Sequence, residues 1–118
     1  MSLIAAFAAG LALSASPSPQ TDALSDLKPA DRADLQCMTL LTAMVGAEQN
    51  ETTRLTLTSG ITYYLGRLQG RTPDVKWVDR LMAYARTEPT AALEANRTRC
   101  AGEMQEMGRV MTAAASGG

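Results

Sequence analysis

Cys37 and Cys100 are the residues of this chain best suited to chemistry, and the chemistry they suit is a disulfide. They follow an uninterrupted apolar segment, residues 3–13, of the kind that directs export, and thiols outside the cytosol are not held reduced. The expected bond encloses the sixty-two residues between them. A chain-entropy treatment gives such a loop about 4 kcal/mol, a large share of a small domain's stability. Cys100, Met104, Met107 and Met111 form a second set, with Met38 and Met44 elsewhere in the chain. Soft sulfur ligands at helical spacing suit Cu(I), but the same positions are where a bundle needs adaptable apolar filler, and core packing is the reading taken. A third set lies in the segment Gly60–Arg71. There Arg67 and Arg71 fall one turn apart and can clamp an anionic group, while Tyr63 and Tyr64 offer large contact area. These four residues are the candidate interaction surface; the alternative is a packed helix whose arginines solvate its outer face.

The chain contains no histidine. Ser-His-Asp and Cys-His catalysis, histidine metal sites and histidine pH sensing are therefore excluded. No phosphate-binding loop and no dinucleotide fingerprint is present. Ser25-Asp-Leu-Lys28 matches S-x-x-K, but the S-D-N and K-T-G partners of that motif are missing, so the match is chance. Asn50-Glu-Thr52 and Asn96-Arg-Thr98 match glycosylation sequons, relevant only in a host that uses them. Glu103 and Glu106 are expected on an exposed face. No catalytic residue, metal site or cofactor is expected, and the chain is read as a non-enzyme. Eleven basic side chains against twelve acidic ones argue for neither nucleic acid nor a polyelectrolyte partner.

The elements that must position these residues follow from periodicity. Residues 1–15 read as a signal peptide, too short to span a membrane and closed by small residues and prolines. Ser-, Pro- and Asp-rich residues 16–28 read as a disordered linker, 29–113 as one helical domain and 114–118 as a disordered tail. Within the domain, Leu35, Met38, Leu41 and Val45 predict a helix over about 29–45, opened by Pro29. Asn50 caps a second helix carrying Leu57, Ile61, Tyr64, Leu65 and Leu68 as far as Gly70. Gly60, Gly66 and Gly70 are assigned to close helix packing, which offsets the roughly 1 kcal/mol that an interior glycine costs. The β-branched run from Thr53 to Thr62 makes a strand pair the local alternative. Thr72-Pro73-Asp74 predicts the start of a third helix, with Val78, Leu81, Met82 and Ala85 inward beside Trp77. Pro89 opens a fourth, on which Leu93, Cys100, Met104, Met107 and Met111 share one stripe. The expected architecture is all-α, a small bundle of four main helices with one disulfide linking first and last.

The order of leader, Cys37 in a first helix, Gly60-Ile-Thr-Tyr-Tyr-Leu-Gly66, and Cys100 opening the last long helical stretch resembles the HdeA-like group of small periplasmic helical proteins. Tai-type immunity proteins share a similar two-cysteine arrangement. The first resemblance implies a periplasmic acid-stress chaperone, dimeric when neutral and opening at low pH to expose apolar surface. The second implies an inhibitor of a toxic effector enzyme. Either way the chain is expected to be periplasmic or secreted and to bind another protein, or to form a homodimer. No nucleic acid, and no membrane span after leader removal, is expected. Acid removes every carboxylate charge and leaves eleven cations to repel one another.

Overall fold

A computed structural model describes residues 24–117. The expected leader, and the linker as far as residue 23, lie outside the described residues.

Pro29 opens helix α1 (Pro29–Ala47) at a position where its missing N–H would be unsatisfied in any helix. Leu35, Cys37, Met38, Leu40 and Leu41 are buried along it. A three-residue link leads to α2 (Glu51–Arg71), whose Asn50 cap accepts a hydrogen bond from the Thr53 amide at 3.0 Å. The threonine-rich segment is helical, not a strand pair. Thr56, Thr58, Ser59 and Thr62 each donate a hydroxyl to the carbonyl four residues back, which engages the groups that would otherwise compete with the helix. α3 (Trp77–Thr87), the one-turn α4 (Thr90–Glu94) and α5 (Arg97–Ala115) complete the chain. The fold is therefore an all-α bundle of four main helices plus one short turn, and no strand occurs among the described residues.

Contacts fix the directions. Asp31 and Asp34 at the start of α1 meet Arg71 and Arg67 at the end of α2, so these helices run antiparallel. Cys37 joins Cys100 through an S–S bond of 2.04 Å, with the Cα atoms 5.5 Å apart, which ties the first helix to the last. Arg99 reaches the Ala33 carbonyl one turn before that bond, and Met104 lies against Leu41 and Gly60 one turn after it. Thus α5 runs parallel to α1. Leu24, Leu35, Met38, Tyr64, Leu68 and Trp77 fill the core between α1, α2 and α3. Each such side chain contributes about 1.5–3 kcal/mol by leaving water.

Five boundaries and faces differ from expectation. Residues 24–28 belong to the domain instead of a linker: Leu24 is buried, and Asp26 accepts two hydrogen bonds from Arg80 at 2.7 and 3.1 Å. The third helix begins at Trp77, because Thr72 terminates α2. The Thr72 amide donates to Leu68, its hydroxyl to Asp31, and its carbonyl accepts from Trp77 Nε1 at 3.0 Å. α3 consequently buries Trp77, Leu81 and Tyr84 and leaves Val78 and Met82 outward. The fourth helix breaks at Ala95–Asn96, where the Asn96 side chain donates to Ala92 O and its amide to Leu93 O. Finally, α5 persists through Ala115, with Ser116 hydrogen-bonded back to Thr112, where a tail was expected.

Candidate functional site

The side chains most closely engaged with one another form a polar seam between α1 and α2. Asp31 and Asp34 are almost completely buried, both at 2% exposure. Arg71 donates to Asp31 at 2.9 Å and to Asp34, Arg67 donates to Asp34 at 3.0 Å, and the Thr72 hydroxyl donates to Asp31 at 2.6 Å. Arg67 also donates to the Tyr63 hydroxyl at 2.7 Å. Burial pushes the Asp31 carboxyl up, but the Thr72 hydroxyl, Arg71 and Lys28 more than offset it and hold the group below its ordinary value of 3.8. The arginines expected to clamp an external anion therefore hold the chain's own carboxylates. Antiparallel packing sets two acids spaced i, i+3 against two arginines spaced i, i+4, which is the pattern that periodicity of apolar residues alone passes over.

A second polar contact fixes α5. The Tyr64 hydroxyl, fully buried, donates to Glu103 Oε2 at 2.7 Å and approaches the Cys100 carbonyl at 3.4 Å. Burial and then the adjacent Glu103 carboxylate push the phenol well above its usual pKa, so it remains a donor. Tyr64 is thus a core residue and not part of a surface, and Glu103, expected on an exposed face, is half-buried as its partner. Arg99 adds bonds to Ala33 O, Gln36 and Glu103 at 3.2–3.3 Å. All these ties fall within the first two turns of α5, and Cys100 is the only residue of that helix fully buried.

Of the three glycines assigned to packing, one packs. A Cβ built on Gly60 would lie 2.7 Å from Met104 Cε and 2.8 Å from Leu41 Cδ1, so α2 presents bare backbone here to the ends of these two side chains. Gly66 and Gly70 are not packing glycines, since a Cβ at either would meet nothing within 4 Å. Their positions on α2 face away from α1 and α5.

Past Met104 the methionine stripe leaves the core instead of filling it. Met107 is half-buried, while Val110 and Met111 are exposed by 51% and 65%. Two hollows flank this part of α5. One, of about 360 Å³, is lined by Tyr63, Arg67, Glu103, Met107, Val110 and Met111. The other, of about 700 Å³, lies between α5 and the α1–α2 pair, walled by Leu40, Leu41, Met44, Leu57, Met104 and Met107. The sulfur of Cys100 is engaged in the disulfide, which reduces the soft-ligand set considered for Cu(I) to thioethers.

No family model, no curated protein and no solved structure matches this chain. Function must therefore be argued from the geometry. The smaller hollow joins two of the four expected surface residues, Tyr63 and Arg67, to an apolar strip of α5; Tyr64 and Arg71 lie in the interior contact and the seam. No helix among the described residues is long and apolar enough to cross a membrane.

Proposed function

We propose that this is an exported, non-enzymatic protein that acts by binding other proteins, and that it serves as a periplasmic stress chaperone of the kind the HdeA-like resemblance implies. The observation carrying this reading is a face of α5 left exposed by the described residues, where Met107, Val110 and Met111 stand beside Tyr63 and Arg67. Aromatic, arginine and methionine side chains are the types enriched where proteins bind one another, and methionine's flexibility suits varied apolar clients. The Cys37–Cys100 bond is compatible with an oxidising compartment. Acid sensitivity has a source in the buried Asp31 carboxyl, held below its ordinary value by Thr72, Arg71 and Lys28, whose protonation weakens the contact between α1 and α2.

The reading is tested by light scattering of an aggregating client as pH falls to about 3, with ANS fluorescence in parallel. Suppressed aggregation and a rise in ANS binding are expected, and a Val110→Asp, Met111→Asp double variant should lose the suppression while keeping its helical circular dichroism. Absence of suppression at every pH would reject the chaperone. A specific observation favours the second reading, an immunity-type inhibitor: Asp34 and Tyr63 hold Arg67 in place, as a preformed surface for one partner requires. That reading predicts a single tight partner and no response to acid.

A further inference from the structure

The larger groove lies on the other side of α5 from the proposed protein-binding face, shares only Met107 with it, and has a different shape and chemistry. Its floor is the hydrophobic core itself, since Leu40, Leu41 and Leu57 are core residues. Its length follows from α5, which lines it from Arg97 to Gly108, about 16 Å at 1.5 Å per residue. Its volume, about 700 Å³, is ample for a slender chain of that length. An extended peptide would leave most of its backbone N–H and C=O groups against leucine and methionine, with Gln105, Thr56 and Ser59 the uncharged polar side chains among the lining residues. The two hydroxyls on the wall, Thr56 and Ser59, already donate to carbonyls of their own helix at 3.2 and 2.9 Å.

The predominantly apolar floor suits a slender chain without polar groups along its length. The charge on the wall says how such a chain ends. Among the described residues lining the groove, Arg97 is the one charged side chain, and it stands at one end, at the first residue of α5. It makes an exposed pair with Glu94 through Nε and Nη2, both at 2.7 Å, and this engages two of its five N–H donors. Exposed pairs of this kind are readily exchanged for a better-placed anion. We infer that the groove between α5 and the α1–α2 pair is a binding site for a long-chain fatty acid, its alkyl chain against Leu40, Leu41, Leu57 and the methionines and its carboxylate at Arg97. The flexible Met44, Met104 and Met107 allow the walls to close on chains of differing length.

The test is displacement of a fluorescent fatty acid from the full chain, titrated below the micellar concentration with hexadecanoate, hexanoate and hexadecanol. Hexadecanoate should displace the probe at one per chain, and hexanoate should bind at least about tenfold more weakly because it covers less of the floor. Arg97→Gln should weaken hexadecanoate by about tenfold and leave hexadecanol unchanged, which separates recognition of the head from burial of the tail. Ala101→Phe, an exposed residue projecting on the groove wall, should abolish binding of both. Gly108→Leu, at a position where a Cβ meets nothing within 4 Å, serves as a second filling variant if the first fails to fold. Failure of hexadecanoate to displace the probe from a chain shown to be helical, equal binding of hexanoate, or binding unchanged in both filling variants would each overturn the assignment. So would displacement by an apolar extended peptide as effective as the fatty acid. Client protection by the Met107–Met111 face should survive Ala101→Phe, so failure of either proposal is read separately.

Discussion

The α1–α2 pair and α5 are attached to the same core by opposite means. Along α1–α2, Leu35, Met38, Leu41, Tyr64 and Leu68 are buried, and the seam of Asp31, Asp34, Arg67, Arg71 and Thr72 closes one end with several mutually supporting bonds. α5 has a single fully buried residue, Cys100, and its disulfide, its bonds to α1 and α2 and its close packing on Gly60 lie between Arg99 and Met104. Among the described residues, Val110 and Met111 on its later turns stay exposed. The contrast shows how a small protein can display a sticky helix without losing its fold: the displayed element is fastened covalently near its root, the only part of it packed on the described core, and the packed pair supplies most of the buried apolar surface.

The contrast is broken most severely by removing the covalent tie. Cys37→Ala, Cys100→Ala or reduction should lower the unfolding free energy by about 4 kcal/mol, read from urea titrations with the m-value fitted freely, since the unfolded chain is more expanded without the bond. A change below about 1 kcal/mol would mean that α5 is held by its noncovalent contacts after all. Next comes the seam. Asp34→Ala leaves Arg67 and Arg71 facing a buried space without their shared carboxylate and should cost about 2–3 kcal/mol, with the disulfide intact by mass spectrometry. Acid acts on the same element. Since the Asp31 carboxyl titrates lower in the folded chain than in the unfolded one, its stabilising effect is complete above the ordinary carboxylate range and is lost as pH falls through the depressed folded value. Thermal scans from neutral pH downward should therefore show a decline beginning near pH 4 that is smaller in Asp31→Asn.

The smallest effects discriminate most finely. Gly60→Ala must move the side-chain ends of Met104 and Leu41, which cancels its helix-propensity gain and should leave stability unchanged or lower by up to about 1 kcal/mol, whereas Gly66→Ala, in open space within the same helix, should gain up to about 1 kcal/mol. Equal effects at the two glycines would contradict the close crossing at Gly60.

Much of this architecture was legible in the chain. Pro29, the Asn50 cap and the three- and four-residue spacing of Leu35, Met38, Leu41, Leu57, Tyr64 and Leu68 locate α1 and α2 to within two residues, because capping and burial both act locally. The Cys37–Cys100 pairing was expected from the oxidising compartment that residues 3–13 suggested, and the bond is present. What escaped depends on tertiary partners. Thr72 looks like the cap of a following helix but is claimed by Asp31 across the seam, which moves the start of α3 to Trp77 and rotates Val78 and Met82 outward. Leu24 lies in a stretch polar enough to read as linker, and only the open end of the core explains its burial. In the candidate site, Tyr63 and Arg67 were found by type, while Tyr64 and Arg71 turned inward toward Glu103 and the two aspartates. The outer half of the methionine stripe has perfect core periodicity and no core opposite it, a fact that spacing along one helix does not contain.

Native-state hydrogen exchange on the oxidised and the reduced chain, compared helix by helix, examines this division of labour directly. With the Cys37–Cys100 bond cut, amides of α5 should lose their protection while those of α1 and α2 around Leu35–Leu41 and Leu57–Leu68 keep theirs. Simultaneous loss of protection in all three helices, or unchanged protection in α5, would show that the last helix is an integral part of the core and not an arm fastened at its root.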